Sequence, residues 1–480
     1  MVKKSCLKIA LLLFLGMLLN AALAAQNGDS TEPVRISPDD AVQRAIRGNL
    51  GLQSARNNLE TRRRAMDLSW NQFIPDVTAA GSMIRNNQPQ SAAVTVPIPG
   101  TGIPMTIDGV TGIAGPQLFM GTVDLPRWNV AGTIQASINI NLAMFENMNR
   151  LRLDYEAGLL SYETARAQLE RDVRIAYHNM LLLQENILLL RGSFENAERQ
   201  AQMAQDNFNA GLAPELTLLQ AQVARENLRP IIDQAENGFR VSMAQFAMFL
   251  DLPFDTYFEL LPVDEIDFYI PLDLSSLISR AAVSRPEIME LRQGILLLNS
   301  ARTMARNSLF PTLSLSWNST SAFTQDPFRD SWFDGDAWMR TGALTLSLAL
   351  RLHSLLPFSL DTQAIRNLDD QIVTAGIGLA QLVRGTEVEI YNTVLSLERA
   401  RVGAEVQQQT VALAELSFQL TEQAYQAGLL DLFQVQSAEQ ALHQARVQML
   451  EQQFSFLNDL IVLEYVIGVP FGTLSATGVN

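Results

Sequence analysis

Polar and apolar residues alternate strictly in three short stretches of the chain. In ALTLSLALRL, residues 343–352, a leucine occupies every second position. The stretches TIQASININL at 133–142 and PTLSLSWN at 311–318 have the same period, and PDVTAAGSM at 75–83 follows it weakly. One apolar and one polar face over about ten residues is typical of a β-strand between lipid and water. A half-buried strand of a soluble sheet gives the same pattern, but three such stretches in one chain favour the membrane.

Two far longer stretches have apolar residues at helical spacing. Neither 143–209 nor 359–426 contains a proline, and both are rich in leucine, alanine, glutamine and glutamate. At about 1.5 Å per residue, each would form a helix of roughly 100 Å. Helices of this length outside a membrane are stabilised by lateral packing as coiled coils. Several shorter helices of a soluble bundle are the alternative.

Four landmarks occur twice in the same order, which predicts an internal duplication. They are an opening helical stretch and three pairs of residues: Pro75 with Pro311, Tyr177 with Tyr391, and Gly211 with Gly428. Each copy would contain a helix, two strands, a very long helix, an Ala-Gly-Leu break and another helix, so the fold class is mainly α with a small β part. We assign residues 25–250 to the first repeat, 251–272 to a linker, and 273–480 to the second repeat with the C-terminal helix.

The opening helix of each copy has a start signal. Ser37 is placed as an N-cap with Pro38 at the first helical position, and Pro286 and Glu287 begin the corresponding run of the second copy. The linker 251–272 contains three prolines among many acidic and aromatic residues. We therefore predict that the linker is irregular.

The number of alternating stretches has a consequence for assembly. Four strands cannot close a barrel, because the smallest membrane barrels have about eight strands. An open sheet edge in lipid leaves backbone groups unpaired at a cost of several kcal/mol each. If these strands enter a membrane, several chains must share one barrel.

The N-terminus and the charge restrict the compartment and the partners. Residues 1–24 combine three early lysines, the apolar run Ile9–Leu19 and a small-x-small site at Ala22–Ala24, which is the layout of a cleavable signal peptide. Its removal leaves no cysteine, because Cys6 is the only one in the chain. A net charge of −15 argues against nucleic acid as a partner. No later window offers about twenty apolar residues without charge, so a helical membrane protein is not expected.

Catalytic chemistry has little support in the sequence. The three histidines, His178, His353 and His443, are isolated and lack the spacing of metal ligands. Phosphate-binding, nucleophile-elbow and dinucleotide motifs are absent from the sequence, and no carboxylate pair stands out. We expect no enzyme activity, no cofactor and no metal.

The ordered set of motifs resembles the outer membrane efflux protein family of the TolC type. The resemblance rests on AVQRAIRGNLGLQSARNNLE, FIPDV, SRPEIMELR, LFPTLSLSW and the two Ala-Gly-Leu breaks, and it covers about 37–472. It implies a homotrimer in the outer membrane lipid, with a shared twelve-stranded β-barrel and an α-helical tunnel that extends into the periplasm. It also implies export of small molecules or proteins, in a tripartite efflux or type I secretion system, together with a periplasmic adaptor and an inner-membrane pump.

The resemblance gives the two breaks a role as docking tips for the adaptor. Gly211 and Gly428 would be left-handed turn positions. The six tip residues would be Ala210, Gly211, Leu212, Ala427, Gly428 and Leu429. Tight turns inside a helical bundle are the alternative.

The residues just after the tips depart from the family pattern. Well-known members carry aspartates there that form a constricting acidic ring, whereas this chain has Gln434 and Ser437 in the second copy and Thr217 and Gln220 in the first. Asp431 and Glu439 are the nearest acids, and Asp431 would lie with these four residues at the pore constriction. We therefore predict a pore constriction of uncharged polar residues.

Two other readings stay open at the level of sequence. A periplasmic coiled-coil adaptor or structural protein without a barrel is disfavoured by the alternating stretches, and a secreted hydrolase is disfavoured by the missing catalytic residues.

If the chain has the fold of the family that it resembles, residues 76–128 would form an enlarged first extracellular loop, rich in proline, glycine and threonine. The exported substrate is not encoded in a readable motif.

Overall fold

The computed structural model describes residues 34–88, 91–98, 104–107, 110–113, 117–124, 128–262, 268–323, 327–328 and 330–476. The predicted signal peptide at 1–24 and part of the predicted linker, 263–267, lie outside these residues. The chain divides into two compact units. The first takes the described residues up to Glu60 with Ala157–Arg292 and those from Ile377 onward, and the second takes Thr61–Glu156 and Gln293–Gly376. Each unit therefore draws on both of the sequence repeats that we predict.

Helices and strands follow one another in the same order in both parts of the chain, apart from four additional strands in the first part and a short last helix in the second. The first part contains β1 (Val34–Ile36), α1 (Pro38–Gly48), α2 (Leu50–Asp67), β2 (Asp76–Arg85), β3 (Ser91–Ile98), β4 (Pro104–Ile107), β5 (Val110–Ile113), β6 (Gln117–Asp124), β7 (Trp128–Ile140), α3 (Leu142–Asn209) and α4 (Glu215–Phe249). The second part contains β8 (Phe258–Leu260), α5 (Leu274–Ser284), α6 (Pro286–Asn307), β9 (Thr312–Phe323), β10 (Trp338–Ala349), α7 (Leu360–Gln426), α8 (Leu432–Val466) and the short α9 (Thr473–Ala476). The long helices α3 and α7 begin and end within one residue of the predicted stretches.

The helix starts follow from local chemistry. Ser37 caps α1 in a capping box with Asp40, and Pro38 is the first helical residue, as predicted. The structure corrects the prediction of one opening helix in each copy, because two helices take its place: α1 and α2 in the first copy, and α5 and α6 in the second. Asn49 and Arg285 leave the helical backbone conformation at the breaks, with ψ angles of 120° and 126°. For Arg285 the cause is the following proline, which disfavours helical dihedrals in the residue before it.

The second unit contains a four-stranded antiparallel sheet in the order β10-β9-β7-β2. Between β2 and β7, strand β3 pairs with β6 and β4 pairs with β5, so the long first loop contains two β-ladders. Two strand ends differ from the prediction. Leu142 begins α3 instead of ending β7, and Leu352 lies in a 3-10 turn beyond the end of β10.

The first unit has a small parallel sheet that the sequence did not reveal. Strand β1 pairs with β8, which lies inside the linker that we predicted to be irregular. That prediction is wrong for Phe258–Leu260, because three residues are too few for a periodic signal. The buried Phe258 and Leu260 pack with Tyr177, Phe246 and other residues in the main hydrophobic cluster of this unit.

A second cluster in the first unit packs α5, α7 and the end of α8. Ile390, Leu397, Leu463 and Ile467 are among its buried residues. Of the helices that the structure describes, none has an apolar stretch long enough to cross a membrane.

Candidate functional site

The four-stranded sheet has one apolar and one polar face. Strand register places Leu346, Leu315 and Ile138 in one row across three strands, and Leu348, Leu313 and Ile140 in the next. A longer row contains Leu344, Trp317, Ala136 and Val77. On the opposite face, Ser347, Ser314 and Asn139 form a polar row. The rows show that the alternation in each strand is in phase across the whole sheet.

The apolar face is not covered by the rest of the described chain. Leu344, Leu346 and Leu348 on β10 are each about 70% exposed, and Leu313, Leu315 and Trp317 on β9 are about 40% exposed. Burying such a face is worth about 25 cal/mol per Å² of apolar surface. The chain therefore needs an apolar environment outside itself at this sheet.

The two outer strands of the sheet are paired along one edge only, among the described residues. Within the described residues, β10 pairs with β9 alone and β2 pairs with β7 alone. The two edge strands run in opposite directions, because every pairing in the sheet is antiparallel. An edge strand β10 could therefore continue the antiparallel pattern beside β2 of another copy.

The two Ala-Gly-Leu breaks have the same backbone geometry. Gly211 and Gly428 have φ angles of 73° and 75°. The amide of Leu212 donates to the carbonyl of Asn207 at 2.8 Å, and the amide of Leu429 donates to the carbonyl of Ala424 at 2.9 Å. The amides of Gly211 and Gly428 each donate to the carbonyl three residues before them, at 2.9 Å. Both breaks are thus Schellman motifs, which end α3 and α7 and favour glycine.

The leucines of the two breaks point away from the chain. Leu212 is 79% exposed and Leu429 is 77% exposed. On the first turns of α4 and α8, Leu216 and Phe433 are also largely exposed. A Schellman motif often buries the residue at this position against its own helix, so two exposed leucines leave apolar surface for contacts outside the chain.

Buried side chains hold the tips together beneath this surface. One cluster contains Ala204 of α3, Leu218 and Ala221 of α4, and Leu432 of α8. A second cluster joins Phe418 of α7 to Val435 and Leu442 of α8. The two tips that the sequence placed far apart along the chain therefore lie in one packed region of the first unit.

The residues predicted at a constriction lie on the first turns after the tips. Thr217 and Gln220 are on α4, and Gln434 and Ser437 are on α8. All but the partly buried Thr217 are exposed. Asp431 caps α8, because its carboxylate accepts a hydrogen bond from the amide of Gln434 at 3.1 Å. The carboxylate of Asp431 thus has a local structural partner.

A polar contact joins α3 to α8 about two turns beyond the tip. The side-chain amide of Gln200 donates to Oε2 of Glu439 at 3.0 Å. Gln200 is buried, and burial raises the pKa of the Glu439 carboxyl. This contact could not be predicted from the sequence, because its two residues come from different repeats.

Helix α7 has an apolar stripe that the sequence analysis missed. Its exposed members lie at multiples of seven residues in two series: Val388, Leu395, Val402 and Leu416, and Val406, Leu413 and Leu420. The helix buries another face, which includes Ile390 and Leu397, within its own unit. A heptad count of the sequence would have found this stripe, because such spacing is typical of a coiled-coil seam.

Other chemistry is not favoured by the described residues. Among them, no group of three or more His, Cys, Asp or Glu side chains could hold a metal ion. Nδ1 of the buried His178 lies 3.1 Å from Oδ1 of Asn458, to which the ring donates, and burial lowers the pKa of His178. This histidine is part of helix packing.

Comparisons with known proteins agree with this architecture. The sequence profile of the family described as outer membrane efflux protein matches residues 41–238 and 277–469. A sequence comparison with curated proteins gave no match.

Solved structures of outer membrane channels have a similar fold. The CmeC outer membrane channel of Campylobacter jejuni has a TM-score of 0.69 and 16% identity, over 90% of this chain and 85% of that one. The outer membrane protein VceC of Vibrio cholerae has a TM-score of 0.68 and 14% identity, over 90% and 96%. The open state of the MtrE outer membrane channel of Neisseria gonorrhoeae has a TM-score of 0.65 and 14% identity, over 90% and 89%. At these identities the likeness concerns the fold alone.

Proposed function

Because the chain belongs to the outer membrane efflux protein family, we propose that it is the outer-membrane channel of a tripartite efflux or type I secretion system. Three copies would share a twelve-stranded barrel and a helical tunnel through the periplasm. The channel would export small molecules or proteins received from an inner-membrane pump through a periplasmic adaptor. A membrane-free coiled-coil adaptor is disfavoured by the exposed apolar face of the sheet.

The observation that carries the proposal is the sheet with a continuous apolar face, whose two edge strands have no further partner among the described residues. Unpaired backbone groups cost several kcal/mol each in lipid, so the edges must be paired there. Strands β10 and β2 run in opposite directions, and placing β10 of one copy beside β2 of the next keeps the sheet antiparallel throughout. Three copies supply twelve strands, which is enough to close a membrane barrel.

The stripe on α7 supports lateral contact between copies. Its exposed residues from Val388 to Leu420 have the spacing of a coiled-coil seam. Packing this stripe against a helix of a neighbouring copy would remove it from water and hold the tunnel wall together.

Cysteine cross-linking tests the barrel, since the mature chain would lack cysteine. Ala80→Cys on β2 is combined in turn with Thr341→Cys, Ala343→Cys or Thr345→Cys on β10, all on the polar face. We expect a heat-modifiable trimer in the outer-membrane fraction and covalent trimers on a non-reducing gel. The matched control is Thr133→Cys with Thr320→Cys, which lie opposite each other in one chain and should cross-link without joining copies. A soluble monomer after osmotic shock would contradict the proposal.

The tips would be the docking surface for the adaptor. Ala210, Gly211, Leu212, Ala427, Gly428 and Leu429 would form it, with Leu216 and Phe433 extending the apolar surface. Gly428→Pro cannot adopt a φ of 75°, because proline fixes φ near −65°. The variant should abolish adaptor cross-linking and export while the trimer still assembles. Intact cross-linking and export in this variant would rule out the tip assignment.

The narrow end of the channel would be lined by Thr217, Gln220, Gln434 and Ser437, with Asp431 beside them as a helix cap. A constriction without carboxylates should be weakly cation-selective. Gln434→Asp should raise the cation-to-anion permeability ratio in planar bilayers, because it adds three carboxylates to the ring. Gln444→Asp, on the same helix outside this set, should leave the ratio unchanged. An equal effect of the two variants would exclude Gln434 from the constriction.

We also propose that residues 1–24 are a cleaved signal peptide and that the mature chain is a duplication, with repeats at 25–250 and 273–480 and a linker at 251–272. N-terminal sequencing of the protein from outer membranes should begin at residue 25. A retained N-terminus would contradict the first part of this proposal.

A further inference from the structure

A cavity of about 370 Å³ lies among α3, α4 and α8 in the first unit. Its walls are mainly apolar. The apolar side chains come from α3 and α4 and are Leu190, Ala197, Ala224, Leu228 and Ile231. A well-formed apolar cavity with a few polar groups is the usual form of a small-molecule site.

The polar side of the cavity is formed mostly by α8. It contains Gln436, Glu439, Gln440 and His443, and faces Gln200 and Ser193 of α3. Gln200 donates to one carboxylate oxygen of Glu439 at 3.0 Å. The other oxygen, Oε1, and Nε2 of Gln436 are buried and have no hydrogen-bond partner within the described residues. Leaving such groups unsatisfied is unfavourable, so both side chains have bonding capacity for a ligand.

The charges of the side chains that line the cavity indicate which kind of ligand it binds. Among the described residues that line the cavity, Glu439 is the only acid, and none is a lysine or arginine. Burial lowers the pKa of His443, which keeps its ring neutral at pH 7. Burial raises the pKa of Glu439 and outweighs the hydrogen bonds from Asn196 and Gln200 and the positive charge of Arg199, which lower it. A cation placed in the cavity would compensate the charge of the Glu439 carboxylate.

We infer that this cavity binds a small organic cation, with a primary ammonium group on an apolar body of about ten carbon atoms. The ammonium group donates to the Glu439 carboxylate. The apolar body packs against Leu190, Leu228 and Ile231. The cavity lies within one unit of one chain, so the inference does not rest on the proposed channel function.

Calorimetric titration of the purified protein in lipid nanodiscs tests the charge requirement. The probes are 4-phenylbutylammonium and its neutral match 4-phenylbutanol, with empty nanodiscs as the blank. The ammonium should bind at least about tenfold more tightly, and Glu439→Gln should remove this preference. Glu451→Gln, an exposed acid on the same helix, should keep it. Equal binding of the two probes, or an unchanged preference in Glu439→Gln, would overturn the inference.

Two further variants locate the site without removing the acid. Ala224→Phe fills the cavity from α4 and should abolish binding of both probes while the protein keeps the helical circular dichroism and thermal unfolding of the wild type. Gln440→Cys introduces a single thiol at the cavity rim, and the ammonium probe should slow its alkylation by N-ethylmaleimide. Gln444→Cys, exposed one turn further along α8, should react at the same rate with and without the probe. Binding that survives Ala224→Phe, with no protection of Gln440→Cys, would place the cation elsewhere.

Discussion

The hydroxyl of Tyr177 on α3 lies 2.7 Å from the carbonyl oxygen of Leu261, just after β8. The same hydroxyl lies 2.9 Å from the carbonyl oxygen of Ile36 in β1. One buried tyrosine thus connects the long helix to both strands of the small parallel sheet. Burial raises the pKa of Tyr177 to about 12, because the anion would lose water and gain no cationic partner.

Tyr177→Phe should lower the free energy of unfolding by about 1–3 kcal/mol, because the buried carbonyl of Ile36 and the partly buried carbonyl of Leu261 lose their shared donor. Chemical denaturation of the purified protein measures the change. Tyr391→Phe, at the matching position of the second repeat but half exposed, should change stability by less than about 0.5 kcal/mol. Equal effects would show that the hydroxyl of Tyr177 does not stabilise the sheet.

Adding a side chain at either tip glycine should lower stability because of the backbone conformation alone. A Cβ at Gly211 or Gly428 meets no atom within 4 Å, but each φ lies in the left-handed region. Gly211→Ala and Gly428→Ala should each cost about 1 kcal/mol. Gly238→Ala, inside α4 with equal space and no positive φ, should instead stabilise by about 0.5–1 kcal/mol. Thermal unfolding of the three variants distinguishes strain from a general effect of removing glycine.

Gly468 adds a close contact to the same backbone conformation. Its φ is 67°, and a Cβ there would overlap the carbonyl oxygen of Ser284. Gly468→Ala should therefore cost about 3 kcal/mol or more, since strain and overpacking each cost about 1–3 kcal/mol. This loss should clearly exceed that of Gly211→Ala in the same unfolding assay. A similar loss at both positions would mean that Ser284 moves away at little cost.

The carboxyl of Glu464 should make stability depend on pH. It is buried and accepts hydrogen bonds from the amides of Gly472 and Leu474 at 2.9 and 2.8 Å, yet burial raises its pKa above 4.5. Since the native state then binds the proton more tightly than the unfolded state, stability should be fully present below about pH 4.5 and fall as the pH rises through the native pKa.

Glu464→Gln removes this titration and should flatten that part of the pH profile relative to the wild type. Glu451→Gln, an exposed acid on the same helix, should leave the profile unchanged. A wild-type profile that rises with pH over the same range would contradict the assigned direction.

Several elements could be predicted from the sequence because their signals are local and long. The period of two identified β9 and β10, and the absence of proline together with helical spacing identified α3 and α7. Ser37 and Pro38 fixed the start of α1, since capping involves residues close together in the chain. The Schellman geometry at both glycines follows from the same local logic. Their role in docking, and the polar constriction beyond them, are still predictions.

Other features depend on residues that meet only after folding. The pairing of β1 with β8 joins segments more than 200 residues apart, and three-residue strands leave no periodic pattern. The contact between Gln200 and Glu439 unites two repeats, and the cavity beside it exists only where three helices diverge. The sequence alone determined the helices, the breaks between them and the alternating strands. These elements depend on local backbone preferences and on residues that are close together in the chain. The strand order, the buried polar contacts and the cavity were decided by tertiary packing, because burial and partner choice depend on distant segments that exclude water together.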